Sequence, residues 1–311
     1  MVKHKIASVI VTYNRKELLV EALDSLLEQT YPVDKIIIVD NASSDGSKLH
    51  LERLGYLNNN KIVYKYLDRN LGGAGGFHHG LSVALKENID WVSMSDDDAI
   101  FEKDYFENII KCMHQNPEVH AFAGSVYENG ELCLFHRGKL DNKINFKFKY
   151  FDKKYYEKKN FLIDIFSFVG CVINISIINA IGLPDQEYFI RNDDAEYALR
   201  VGQQTKILCV PSAKIDHRIK PKVKNDNNET LPDWKDYYDL RNHCFLAIAH
   251  SHRKALTYLY IFMNLFARGC YAGIKGKYKG HRKYRLLMLF DILKDVLNGR
   301  KGKNSKYMPN S

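Results

Sequence analysis

Proline and tryptophan are scarce in this chain, at seven and two in 311 residues. No CxxC pair occurs among its six cysteines, Cys112, Cys133, Cys171, Cys209, Cys244 and Cys270. That absence argues against a disulfide framework or a zinc ribbon and predicts reduced cytosolic thiols. Long apolar runs are missing too. The longest, "ALTYLYIFMNLFA" at 255–267, is bracketed by Arg253, Lys254 and Arg268 and falls short of the ~20 residues that span a bilayer, so no transmembrane helix is expected. An N-terminal apolar run of about six residues is too short for the core of a signal peptide, which predicts no secretory signal. There is no internal repeat. The glycine run "NLGGAGGFHHG" at 70–80 lacks the Gly-Lys-Ser/Thr of a phosphate loop, and His78 stands where a dinucleotide fingerprint needs its third glycine.

What is present is ordinary globular composition, 45% hydrophobic and 27% charged, enough for a main domain of roughly 200–250 residues with an appendage. The net charge of +9 is concentrated at the end, where residues 268–311 carry twelve Lys/Arg against Asp291 and Asp295. Interleaved with Tyr271, Tyr278, Tyr284 and Phe290, this pattern suits an anionic membrane surface or nucleic acid. A solvated basic tail is the plainer alternative.

Along the first 130 residues, β-branched runs at 6–11, 35–40, 61–66, 91–95 and 119–124 alternate with amphipathic patterns at 16–29, 46–56, 75–87 and 102–115. Repeated βα units predict an α/β fold, a mostly parallel open sheet with helices on both faces. Ligands of such sheets sit at the carboxyl ends of the strands. Residues 12–15, 40–45, 70–76 and 96–98 each follow a strand, so they should gather on one rim. Residues 131–170 are aromatic and lysine-rich and suggest hairpins or an irregular insert. An apolar run at 167–182 precedes a helix beginning at Asn192 or Asp193, and 206–210 should form a strand ending at Pro211. Beyond 232 the pattern is helical to about 297, with a break at 273–280.

Three constellations carry chemistry. In "WVSMSDDDAIFEKDYF", Asp96, Asp97 and Asp98 follow a buried run, where adjacent carboxylates repel and gain nothing from packing. With a side-chain period of two, Asp96 and Asp98 can converge as hard oxygen ligands for Mg²⁺ or Mn²⁺ while Asp97 turns elsewhere. The alternative is an acidic cap for the helix at 102. Neutralising Asp96 or Asp98 is then expected to stabilise the protein when no metal is added. In "RNDDAEYALR", Asp193, Asp194 and Glu196 crowd a helix start, and Glu196 is spaced to pair with Arg200. Capping alone explains Asp193, whereas a carboxylate in a partly dry cleft can also serve as a base. In "AKIDHR", His217 after a strand of the same sheet is a candidate third ligand, although a lone His is usually a structural residue.

Together, "VIVTYNR", "VDNASSDGS", the acidic triplet, "DDAEYALR" and the later His resemble the inverting glycosyltransferases of family two, of GT-A fold, over about residues 6–220. "NLGGAGGF" with "NDDAEYALR" is similar to bacterial galactofuranosyltransferases, and "YYDLRN" at 237–242 is shared with these and the related rhamnosyltransferases. The resemblance implies that Thr12, Asn14, Arg15 and Asp40 hold the uracil and ribose of a nucleotide sugar, with Asp97 turned toward the nucleotide or its surrounding backbone. It implies that Asp96, Asp98 and His217 bind Mn²⁺ or Mg²⁺ and that Asp194 is the base. Asp193 and Glu196 would contact sugar hydroxyls, and Gly73, Gly75 and Gly76 would flank donor or acceptor. One departure is that galactofuranosyltransferases carry Trp before the paired aspartates, where this chain has Asn192.

The expectation is therefore a metal-dependent inverting enzyme moving galactofuranose from UDP-galactofuranose to a lipid-linked glycan of a cell-surface polysaccharide. A rhamnosyl- or other hexosyltransferase is the alternative. Its catalytic domain would span 1–220, with 131–170 as an acceptor-side insert, and 221–311 would be a helical basic region. Expected partners are a nucleotide-sugar donor, a polyprenyl-diphosphate-linked acceptor and the anionic inner face of the cell membrane, with the protein cytoplasmic and peripheral there. Nucleic-acid binding through the tail is the reading of another class, and an oligomer is left open.

Overall fold

The computed structural model describes residues 3–219 and 233–308. The β-branched runs form strands β1 (Ile6–Thr12), β2 (Lys35–Asp40), β3 (Ile62–Tyr66) and β4 (Trp91–Asp96). Between them lie helices α1 (Lys16–Leu27), α2 (Ser47–Arg53) and α3 (Gly72–Ala84). A short β5 (Ala99–Phe101), α4 (Tyr105–Gln115) and β6 (Ala121–Glu128) follow. Every residue of β1 is buried, as a strand covered on both faces requires.

The insert is built of short strands: β7 (Glu131–Leu132), β8 (Arg137–Asn142), β9 (Lys147–Tyr150), β10 (Phe161–Ile163) and β11 (Ile165–Phe166). Then come β12 (Cys171–Asn174), α5 (Ile175–Ile181), α6 (Asp193–Gly202) and β13 (Ile207–His217). The main sheet runs β10-β13-β6-β12-β4-β1-β2-β3, with β5 on β13 and β7 on β6, and a second sheet has the order β11-β8-β9. The pairs β1/β2, β1/β4, β2/β3 and β6/β13 are parallel, whereas β12 lies antiparallel between β4 and β6.

Three expectations change in detail. The strand expected to stop at Pro211 continues to His217, through a register shift against β6 between Val210 and Lys214. A proline is tolerated in a strand at such an irregularity, where the ladder has already lost a bond. The acidic triplet does not cap the helix after it, because β5 intervenes and Asp104 precedes α4. The helix expected from 75 begins three residues earlier, so that the glycine run forms its opening turns. A Cβ on Gly76 would lie 2.4 Å from Val11 Cγ1, and one on Gly80 would lie 2.2 Å from Val9 Cγ1. These glycines let α3 press directly onto β1.

The chain divides into two compact units. One comprises Met1–Lys139, Lys149–Gln186 and Asp194–Ile219; the other comprises Leu140–Phe148, Glu187–Asp193 and Lys220–Ser311. The expected boundary at 220–221 falls outside the described residues. Within the second unit, α7 (Lys235–His250), α8 (Lys254–Ile274) and α9 (Arg282–Leu297) carry the chain to a basic terminus that is packed as far as Met308. Tyr307 stacks on Tyr237 with centroids 4.1 Å apart, and buried Arg241 donates to Gly302 O at 2.7 Å. Asn242 Nδ2 donates to three carbonyls, Tyr188, Ile190 and Arg191, at 2.8–2.9 Å. Its two hydrogens are shared among the three, and it thereby holds a segment in which Phe189, Arg191 and Asn192 all have positive φ, a conformation that needs support from its surroundings. No helix among the described residues is long and apolar enough to cross a membrane.

The close approach of α3 to β1 yields a paired test. Gly80→Ala should cost about 1–3 kcal/mol in chemical denaturation, because its methyl has no room beside Val9 and Val39. Gly73→Ala, with nothing within 4 Å of the added carbon, should be neutral or gain up to about 1 kcal/mol of helix propensity. Equal losses at both positions would refute the packing account.

Candidate functional site

The triplet occupies the end of β4 and a two-residue turn leading to β5. In that turn Asp97 and Asp98 separate. Asp97, 3% exposed, accepts from Thr12 Oγ1 at 2.7 Å, from the Tyr13 amide at 3.4 Å and from Arg15 Nη1 at 3.1 Å. Arg15 Nη1 also donates to Asp98 Oδ2. Asp97 thus ties down the loop after β1, and Thr12, Arg15 and Asp97 form one polar cluster.

Asp96 and Asp98 converge with His217, their ligand atoms all lying within 4.8 Å of one another. The cause is strand pairing. β13 runs antiparallel to β5 with His217 opposite Ala99, and the Arg218 amide donates to Asp98 O at 2.8 Å. The imidazole therefore arrives beside Asp98, with Nε2 3.1 Å from Oδ1. That oxygen is buried, and His217 is its ion-pair partner although the contact is not well aligned. Two hard carboxylates with an imidazole fit Mn²⁺ or Mg²⁺.

Burial, reinforced by Asp98, pushes Asp96 well above the usual carboxylate range. Burial also raises Asp97 to about 6 against the pull of Arg15. Asp98 goes the other way: burial opposes it, but His217 and Arg15 hold it below the ordinary value. Burial would lower His217, yet the hydrogen bond and charge of Asp98, with Asp96 and Glu128, raise it to about 9. The protein's own cations thus already offset part of the repulsion, and they do so at Asp98. Neutralising Asp96 should relieve strain, as expected from the sequence; neutralising Asp98 would strand Arg15 and His217 instead.

The remaining rim residues lie at the ends of β1 and β2. Thr12 pairs with Asp40 in the parallel register. Asp40, 1% exposed, accepts from the Ser43 amide at 2.7 Å and from the Tyr64 hydroxyl. Asn14, at φ 55°, accepts the Ser44 amide at 2.7 Å, so the two strand-end loops are laced together. Asn41 bonds the Leu71 amide and Gly72 O, linking β2 to the start of α3. Of the glycines expected near a ligand, Gly75 and Gly76 are buried against Leu71 and Val11, while Gly73 faces open space.

Asp193 opens α6 and Asp194 follows it, with Oδ1 on the Ala195 amide at 2.7 Å. Asp194 is close enough to Cys171, opposite Met94 in the sheet, to raise that thiol beyond the effect of burial. Glu196 forms the expected pair with Arg200, at 2.9–3.1 Å, and Arg200 also grips Ile181 O and Leu183 O. That grip fixes the Glu196 side chain at the second turn of α6. Asn192, in the Trp position, donates to Asp239 O and Oδ1 at 3.0 Å.

Two residues with no motif complete the site. Glu128 ends β6 and accepts from His217 Nδ1 at 3.1 Å and His136 Nε2 at 3.0 Å. The hydrogen bond from His136, against burial and with help from His217, lowers Glu128 to about 2.

A family model described as "Glycosyl transferase family 2" matches residues 8–182, more than half of the chain. The chain belongs to glycosyl transferase family 2. It is 28% identical over 203 residues to galactofuranosyltransferase GlfT1 of Mycolicibacterium smegmatis, covering 63% of this chain and 65% of that protein. GlfT1 of Mycobacterium tuberculosis is 30% identical over 200 residues, covering 62% and 63%. The chain thus spans just under two thirds of the length of these relatives. Among solved structures it resembles GalNAc-T7 with UDP, GalNAc and Mn²⁺, at a TM-score of 0.62 and 13% identity over 95% of this chain and 56% of that one. It also resembles mannosyltransferase PcManGT from Pyrobaculum calidifontis with GDP-Man and Mn²⁺, at 0.58 and 16% over 96% and 88%. At such identities the likeness is one of fold, and it agrees with the α/β, GT-A architecture expected from the sequence.

His217 makes stability depend on pH in a stated direction. A base raised from 6.5 to about 9 on folding contributes stability that is complete below pH 6.5 and disappears as pH rises through 9. Thermal or urea unfolding in EDTA should therefore lose on the order of 2–3 kcal/mol across that window. His217→Gln should flatten the slope; an unchanged slope would refute the assignment.

Proposed function

We propose that this family-two protein is a metal-dependent inverting glycosyltransferase that moves galactofuranose from UDP-galactofuranose to a hydroxyl of a lipid-linked glycan. The observation that carries the reading is the convergence of Asp96, Asp98 and His217 beside the Thr12–Arg15–Asp97 cluster at the rim of the sheet. Similarity to the GlfT1 proteins supports the choice of sugar. Asp96, Asp98 and His217 would hold Mn²⁺ or Mg²⁺, whose charge would stabilise a departing diphosphate. Thr12, Asn14, Arg15 and Asp40 would shape the nucleoside pocket, and Asp97 would fix the end of β1 and the loop after it, which carry the first three. Gly73 is the glycine with room for a neighbour, and Asp193 lies next to the base in sequence.

Asp194 is the proposed base. It would take the proton of the acceptor hydroxyl as that oxygen forms its bond to the anomeric carbon and the nucleotide leaves from the opposite face. A carboxylate in this role contributes about 10²–10⁴-fold. A rhamnosyl- or other hexosyltransferase is the second reading, favoured by Asn192, which is bonded to Asp239 and offers no ring for sugar stacking.

The second unit supports docking on an anionic membrane face, where a polyprenyl-diphosphate-linked acceptor would be held. Leu259, Phe262, Met263 and Phe266 on α8 are more than half exposed, and Arg253, Lys254 and Arg268 flank them. Apolar side chains ringed by cations match a lipid interface. The site of action in this reading is the cytoplasmic face of the cell membrane.

Purified protein with Mn²⁺ should turn over UDP-galactofuranose from a panel of nucleotide sugars, and chelation should abolish turnover. Asp194→Asn should lower kcat about 10²–10⁴-fold while nucleotide binding persists. Activity with dTDP-rhamnose but not UDP-galactofuranose would transfer the assignment to the second reading. Cosedimentation with anionic vesicles at low salt should weaken in Phe262→Asp/Phe266→Asp protein; no binding by the unaltered chain would remove the membrane proposal.

A further inference from the structure

A chain of buried and part-buried polar groups meets the Nδ1 edge of His217, opposite the nitrogen that faces Asp98, and nothing in the proposed reaction uses it. It begins at Arg137, fully buried on β8. Its Nε donates to Gly124 O at 2.8 Å, Nη2 to Val169 O at 2.7 Å, and Nη1 to His136 O at 2.9 Å and Ser167 Oγ at 3.3 Å. Ser167 Oγ is 2.7 Å from His136 Nδ1, and His136 Nε2 is 3.0 Å from Glu128 Oε1. The same Glu128 oxygen is 3.1 Å from His217 Nδ1, and the Cys133 thiol is a further partner of this carboxylate.

Donor chemistry gives this chain one direction. A guanidinium has only protons to offer, so Ser167 Oγ accepts from Arg137 and its own proton is available to His136 Nδ1. A carboxylate has only lone pairs, so both imidazole nitrogens facing Glu128 carry hydrogen. His136 is then the Nε2–H form, and His217 keeps a proton on Nδ1 whatever the state of Nε2. The atom left to face Asp96 and Asp98 is His217 Nε2, at 3.1 Å from Asp98 Oδ1. Strand register sets this up: β6 runs parallel to β13 with Tyr127 opposite Asp216, which brings Glu128 alongside His217.

We propose that Glu128 is a positioning residue of the cation site, holding His217 in the Nδ1–H tautomer so that Nε2 is presented as the ligand, with His136, Ser167 and Arg137 holding Glu128 in turn. The inference rests on the reading that Asp96, Asp98 and His217 bind a divalent cation. Partners of this kind orient a ligating imidazole and raise its basicity, and losing one commonly costs about 10–100-fold in metal affinity. Glutamine keeps a carbonyl oxygen where Oε1 stands, so it preserves the acceptor while removing the charge.

The test is Mn²⁺ binding to the full chain, by calorimetry and by electron paramagnetic resonance of free Mn²⁺, with urea unfolding in EDTA as the control for folding. Glu128→Ala should raise the Mn²⁺ Kd about 10–100-fold, and Glu128→Gln should recover affinity to within about fivefold of the unaltered protein. With Mg²⁺ bound, the ¹⁵N signals of His217 should report a protonated Nδ1 in the unaltered protein and in Glu128→Gln. Mn²⁺ bound equally well by the unaltered protein and by Glu128→Ala overturns the inference and leaves the metal site standing. No Mn²⁺ binding by the unaltered protein removes both. Should Glu128→Ala fail to unfold cooperatively, Glu128→Gln decides alone: retained affinity with Nδ1 unprotonated overturns the proposal.

Discussion

Three adjacent carboxylates at the end of a buried strand are the constraint around which the first unit is organised. Such charges persist only where positive charge is brought to them. The loop after β1 brings Arg15 to Asp97 and Asp98, and the far end of β13 brings His217. Both depend on the sheet. β1 lies next to β4 in parallel register, so the two strands end together. β13 reaches the same rim because β5, the three residues after the triplet, gives it a ladder to join. The acidic turn and its counter-charges are thus products of one pairing pattern.

Packing serves the same end. With no side chain on Gly76 or Gly80, α3 sits against Val11 and Val9 of β1, and its first turn is joined to the end of β2 through Asn41. The run that resembles a phosphate loop in composition thus fixes where two strand-end loops sit. Glycine here offers proximity, where a phosphate loop uses it for backbone freedom. In the second unit, Asn242 plays a comparable part, pinning three carbonyls of a left-handed stretch that leads directly into the acidic helix.

What could be seen in the sequence follows from the range of each interaction. Alternation of β-branched runs with amphipathic ones is local, so the βα order and the rim of polar residues were legible, as was the Glu196–Arg200 pair four residues apart. His217 could be picked out by its place after a strand, although the strand was cut short at Pro211 because a register shift leaves no local mark. Glu128, His136 and Arg137 were not legible. Glu128 and His217 are 89 residues apart and meet only through strand register, and the insert that carries His136 and Arg137 has no periodicity to announce their burial. The antiparallel placement of β12 between β4 and β6 was hidden for the same reason, since four residues of strand do not encode direction.

The charges of the site also explain why one histidine can answer to two masters. Toward Glu128 the imidazole must donate, and toward Asp98 it can either donate as a cation or, after losing the Nε2 proton, offer a lone pair. The first arrangement supplies one positive charge to the paired carboxylates; the second makes room for a divalent ion that supplies two. In the proposed cation site, exchange between them would remove the Nε2 proton, and Asp96, raised by burial and by Asp98, would have to be ionised as well. On that reading the side of His217 that faces Glu128 keeps its proton, and the face toward the acidic turn is the one whose chemistry changes.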